Sequence, residues 1–94
     1  MKTLQLKMRK NGFEYIQLLR GQRSCVYEQV VSENVSYYEV FILKIQPARK
    51  VGDRVLGARE LFPHNEAFGD WAWSFRDLNE AKLKFNEIEK GGML

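Results

Sequence analysis

Two residues decide most of the chemistry open to this chain: Cys25 is its one cysteine and His64 its one histidine. A thiol nucleophile would need His64 beside Cys25 to take its proton. Cys25 lies in Ser24-Cys25-Val26-Tyr27, mid-strand among apolar neighbours, where a cysteine acts as a small buried hydrophobe. His64 follows Pro63 in a loop and reads as a surface residue, a cap or a ligand contact. A structural metal site needs about four ligands, and the paired-carboxylate spacing of an oxygen-ligand site is missing, so no metal is expected. Gly52 and Gly57 flank Asp53-Arg54-Val55-Leu56, a spacing that matches neither the P-loop nor the dinucleotide fingerprint. Glu28 and Glu39 fall on neighbouring expected strands and could approach each other, although strand carboxylates usually face solvent or pair with Lys or Arg. No catalytic constellation emerges. The expectation is a protein that is not an enzyme and takes no cofactor.

The residues that point to a function are basic. Arg49, Lys50, Arg54 and Arg59 fall within eleven residues of a long loop, and Lys7, Arg9, Arg20 and Arg23 decorate the first strands and the turn after them. Lys and Arg beside tyrosines suit phosphate and base contacts. The net charge of +3 conceals an asymmetry. Residues 1–59 carry 11 Lys and Arg against 5 Asp and Glu, and residues 60–94 carry 4 against 7. The basic half suits an anionic partner: nucleic acid, a nucleotide or an acidic protein surface.

The elements that must position these residues follow from periodicity. Ninety-four residues with 45% hydrophobic content make one domain, residues 1–94, with a real core. Residues 3–10 alternate loosely, and Asn11-Gly12 is the strongest hairpin signal in the chain. With residues 13–19 as the return strand, a two-residue turn sets Arg9 across from Glu14, Met8 across from Tyr15 and Leu6 across from Gln17. Residues 24–31 and 35–45 are the next strands. The latter is apolar on both faces, which predicts a central position with cover on both sides. Trp71, Trp73 and Phe75 alternate with smaller residues, so residues 71–75 predict a strand with three rings on one face. Asp77 reads as a helix N-cap with Glu80 placed for a capping box. Leu78, Ala81, Phe85 and Ile88 form one stripe of a helix over about 78–90, Leu83 lies off it, and Gly91 suits the C-cap.

The fold expected is α+β: a four- to five-stranded, mainly antiparallel sheet with one C-terminal helix on one face. Residues 46–68 lack periodicity but carry Val51, Val55, Leu56, Leu61 and Phe62, too many apolar residues for a linker. They predict an ordered loop draped over the sheet, with either a short hairpin or a crossing segment at 51–56 and a helical turn at 58–62. The second face of the sheet then has three candidate covers: this loop, a partner, or a second copy as a homodimer. No run reaches transmembrane length, and the N-terminus lacks the apolar core of a signal peptide, so no membrane association and a cytoplasmic location are expected.

Tyr37-Tyr38-Glu39-Val40-Phe41, then GDRVLGARELFP (52–63), then FGDWAWSF and EAKLKF (68–75, 80–85) resemble a small family of uncharacterised bacteriophage and prophage proteins. That family shows a YEV-type strand, a loop with a hydrophobic residue and proline, a W/F-rich strand and an EA-x-x-x-F helix. The resemblance spans about residues 11–90 and brings no catalytic or binding residues with it. It implies a viral protein acting in the host cytoplasm, in the manner of anti-CRISPR and other anti-defence inhibitors. Residues 13–19 and 73–88 are also similar in outline to the WGR domain of DNA-repair polymerases, although the Trp-Gly-Arg signature is absent, since Trp71-Ala72-Trp73 does not match it.

Three readings result. The first is a non-enzymatic binding protein that engages a host nucleic-acid-processing or defence complex through the basic loop and sheet. The second is a module that binds or sequesters a nucleotide or nucleic acid. The third is a structural or assembly accessory that works as an oligomer.

Overall fold

The computed structural model describes residues 1–91. Its centre is a five-stranded antiparallel sheet of β1 (Lys7–Lys10), β2 (Phe13–Arg20), β3 (Ser24–Ser32), β4 (Val35–Ile42) and β9 (Ala72–Phe75), in that order across the sheet. The fold is α+β, with α1 (Leu78–Glu89) after the last strand. Among the described residues no helix is long and apolar enough to cross a membrane.

The first hairpin has the register read from its sequence: Met8 pairs with Tyr15 and Arg9 with Glu14, and the Gln17 N–H donates to the Leu6 carbonyl at 2.8 Å. Asn11 (φ 54°) and Gly12 (φ 84°) both sit in the left-handed region, as a turn whose twist matches its strands requires. The strand itself begins only at Lys7. Residues 2–5 leave the sheet edge, and the Gln5 carbonyl accepts the Tyr27 hydroxyl at 2.6 Å.

α1 covers one face of the sheet. Asp77 caps it by accepting the Asn79 N–H at 2.7 Å. Ala81 and Ile88 are buried, and Leu78 and Phe85 pack beside them against Val26, Val40, Trp73 and Phe75, while Leu83 faces solvent. Gly91 (φ 82°) closes the helix. The other face carries Tyr15, Cys25, Tyr27 and Phe41. Here the loop supplies the cover. Phe62 packs its ring edge-on against Tyr15, Tyr27 and Phe41, at centroid distances of 4.9, 5.5 and 5.3 Å.

The long connection is ordered, and only part of it is draped over the sheet. The fourth strand ends at Ile42 rather than Ile45, one rung past which the Leu43 N–H still reaches the Arg23 carbonyl at 2.8 Å. β5 (Ile45–Gln46) then pairs with β8 (Arg59–Glu60). Between them β6 (Arg49–Val51) and β7 (Arg54–Leu56) form a hairpin. The helical turn expected at 58–62 is extended chain instead. Arg59 and Glu60 are held between β5 and Lys2, whose N–H and carbonyl bond Ala58 and Glu60, and the residue before Pro63 is biased to extended backbone. A single 3₁₀ turn follows at Asn65–Ala67.

Trp71 corrects the three-ring face. Its N–H closes a turn onto the Ala67 carbonyl at 2.9 Å, so regular strand alternation starts at Ala72. Trp73 and Phe75 face the helix, whereas Trp71 joins the loop-side core against Phe41 and His64.

Candidate functional site

The β6–β7 hairpin is an arm. Every residue from Pro47 to Gly57 is exposed. Its rungs pair Arg49 with Leu56, Lys50 with Val55 and Val51 with Arg54. Residues paired across a ladder share a face, so each rung joins one cation to one aliphatic side chain, and neither face of the arm is apolar enough to seek the core. Val51, Val55 and Leu56 are 52%, 74% and 38% exposed. Among the described residues, the side chains of Arg49, Lys50 and Arg54 make no hydrogen bond or ion pair.

The other basic candidates divide. Arg59 stands at the base of the arm and donates its Nε to Gln46 Oε1 at 2.9 Å. It borders a cleft of about 510 Å³ with Arg49 and Lys2, so the structure brings these cations together. Arg9 and Lys10 meet Arg59 around a smaller cleft of about 290 Å³ along residues 2–5. Lys7 faces Glu14 at 3.7 Å on the sheet edge. Arg23 is exposed in the turn before β3, and its backbone N–H is taken by Glu89. Arg20 is structural. Both terminal nitrogens of its guanidinium bond Glu60. The Arg20 hydrogen bond, aided by the Leu4 N–H, holds the Glu60 carboxyl below its ordinary range. Arg20 therefore fastens the base of the arm to β2.

The catalytic candidates are not assembled. Cys25 is fully buried, and burial pushes its thiol up to about 12, far from the thiolate a nucleophile needs. Glu28 and Glu39 lie on opposite faces of the sheet. Glu28 pairs with Tyr38 on the helix side and accepts the Ser36 hydroxyl, whereas Glu39 pairs with Tyr27 on the loop side. Among the described residues no group of three His, Cys, Asp or Glu could hold a metal ion.

Glu39 is the residue that periodicity passed over. It is 6% exposed, and among the described residues its carboxyl accepts no hydrogen bond. It lines a cleft of about 830 Å³ between the sheet and residues 62–68. Burial raises it to about 7. Beside it the Tyr15 hydroxyl accepts Gln29 Nε2 at 2.9 Å, and is itself raised by burial and by the Glu39 charge. The signal was present in the sequence as a glutamate in the same alternating row as Tyr37 and Phe41. A charge in a strand apolar on both faces has no solvent side to occupy.

No family model matches the chain, no curated protein matches it, and no solved structure matches it.

Proposed function

We propose that this chain is a non-enzymatic binding protein that seats its β6–β7 arm on an acidic surface of a protein partner. The observation that carries the reading is the composition of the arm: an exposed cation and an exposed aliphatic side chain at every rung. Phosphate backbones satisfy cations but offer nothing to Val51, Val55 and Leu56. A protein surface offers both carboxylates to pair with and apolar area to cover. The arm stands on a fixed base, clamped by β5–β8 and by the Arg20–Glu60 pair, so little conformational freedom is lost on docking. The loop already covers the second face of the sheet, which removes the demand for a second copy there. The resemblance to phage-encoded proteins suggests, as the partner, a bacterial nucleic-acid-processing or defence complex.

The test is capture from a bacterial lysate with and without nuclease, followed by affinity measurement with two variants. Arg49→Gln/Lys50→Gln/Arg54→Gln should weaken binding about 10- to 100-fold and flatten its salt dependence, and Val51→Ser/Val55→Ser/Leu56→Ser should weaken it by about 10-fold or more. A partner destroyed by nuclease and indifferent to the serine variant would transfer the arm to nucleic acid, for which a two-stranded basic ribbon has a fitting width.

A further inference from the structure

We propose that the cleft floored by Glu39 is a binding site for a guanine base carrying a phosphate, with the Glu39 carboxylate accepting from the base edge and the surrounding rings covering its faces. This site is independent of the arm.

The argument starts from what Glu39 lacks. A carboxylate has about four lone-pair positions, and among the described residues Glu39 fills none of them with a protein donor. It is nine-tenths buried, so bulk water satisfies it poorly, and burying such a group costs stability unless a donor arrives. Its oxygens open onto the cleft and not into closed core, since no buried side-chain oxygen or nitrogen among the described residues is orphaned. The site is short of hydrogen-bond donors.

The walls then restrict which donor fits. Tyr15, Phe62 and Phe68 line the cleft, so its sides are aromatic and a flat ligand body is favoured. Tyr15 accepts from Gln29 Nε2, which leaves its own proton to donate to a ring acceptor. Lys10 lines the mouth, with Nζ 5.2 Å from the Phe62 ring centre. A cation there disfavours a guanidinium or ammonium ligand and favours an anionic tail. The ligand is then flat, neutral in the ring, donor-edged and negatively charged at the far end.

Among the common bases only guanine presents two adjacent donors, its ring N1–H and its exocyclic amine. Two parallel donors match the two oxygens of a carboxylate. Adenine and cytosine set their amine beside an acceptor nitrogen, and uracil flanks its N–H with two carbonyls. Each would turn a lone pair towards Glu39.

Titration calorimetry of the wild-type chain with GMP, IMP and AMP at pH 8, where Glu39 is ionised, tests this. IMP lacks the exocyclic amine and AMP lacks both donors. GMP should bind, IMP about 10-fold more weakly and AMP about 100-fold more weakly. Glu39→Gln removes a buried charge and should remain folded, which a thermal melt checks. It should lose at least about 10-fold in GMP affinity and narrow the gap between GMP and AMP. The arm variant Arg49→Gln/Lys50→Gln/Arg54→Gln should bind GMP as the wild type does, so the two proposals fail separately. A single-stranded UUGU tetranucleotide locates the source: tighter binding than GMP assigns the base to a strand, and equal binding assigns it to a free nucleotide. The proposal is overturned if folded wild-type protein does not bind GMP, if the three nucleotides bind alike, if Glu39→Gln binds GMP unchanged, or if N-acetylarginine amide binds more tightly than GMP.

Discussion

Glu39 and Glu89 show how one residue type takes opposite roles in two environments. Burial lifts the Glu39 carboxyl to about 7 from an ordinary value of 4.5. In the unfolded chain it ionises near 4.5, so between these values the folded state binds the extra proton. Stability contributed at Glu39 is therefore complete below the unfolded value, falls as pH rises to about 7, and is flat beyond. At Glu89 burial alone would raise the carboxyl, but the Ser24 hydroxyl and the backbone N–H groups of residues 22–24 outweigh it and hold it below 4.5. Glu60 is lowered too, chiefly by Arg20. Those two groups stabilise above the unfolded carboxylate range and lose that effect as pH falls through their folded values. Between them these three carboxyls favour the fold most around the ordinary carboxylate range, where the rising and falling contributions meet. Glu39→Gln should leave stability at pH 4 little changed and raise it at pH 8, by on the order of 3 kcal/mol. Denaturant unfolding at the two pH values measures this, and equal gains at both would show that Glu39 is solvated. A single buried carboxylate of this kind is hard to read from sequence. Tyr37-Tyr38-Glu39-Val40-Phe41 shows the charge, but its burial depends on Phe62 and Pro63, more than twenty residues away.

At the scale of elements, local signals were legible and long-range ones were not. Asn11-Gly12 determined the first turn and hence the register of a whole hairpin. Asp77 and the stripe Leu78, Ala81, Phe85 and Ile88 determined the helix and its buried face. Trp71 was misplaced because the backbone turn before it interrupts the period-of-two pattern, and Arg59-Glu60 because its strand partners, Ile45-Gln46 and Lys2, lie far away in the chain. The clasp at the end of α1 was equally invisible. The Glu89 carboxylate accepts the N–H groups of Gln22 and Arg23 at 2.8 and 3.0 Å and the Ser24 hydroxyl at 2.6 Å, joining the helix to the turn before β3. Gly21 permits the approach, since a Cβ there would stand 2.3 Å from that carboxyl. Glu89→Ala should cost about 2 kcal/mol, and with it about 10 °C in Tm. Gly21→Ala should give a loss of similar size by swinging the carboxyl out. Thermal melts of both single variants and the double variant check the link: a double variant no worse than either single one places both on the clasp, and full additivity would separate them.

For the whole molecule, the body and the arm are separable. The legs of the arm are joined at Ile45–Glu60 and Gln46–Arg59, and the Arg20–Glu60 pair fixes that junction to the sheet. Replacing residues 47–58 by Asn-Gly should leave the sheet and helix intact. The Gly then preceding Arg59 sits in a tight turn, where its carbonyl is re-aimed and the hydrogen bond that the Lys2 N–H makes to Ala58 is weakened, by about 1 kcal/mol. Cooperative unfolding should persist with Tm lowered by about 5 °C, and a loss of cooperativity would show that the arm belongs to the core. The basic half of the sequence was legible as a half, but its division into arm cations and the structural Arg20 was not, because Glu60 lies 40 residues from its partner. The same long-range closure has a kinetic consequence. Strands β1 to β4 follow one another as neighbours in the sheet, so they can zip together from local turns while the rest of the chain is still being synthesised. During that interval neither Phe62 nor α1 has arrived. Tyr15, Tyr27 and Phe41 lie bare on one side of the nascent meander and Val26 and Val40 on the other. The time between completion of β4 and arrival of residues 62–88 is when this chain is most prone to aggregate, so pausing translation in that stretch should lower its soluble yield.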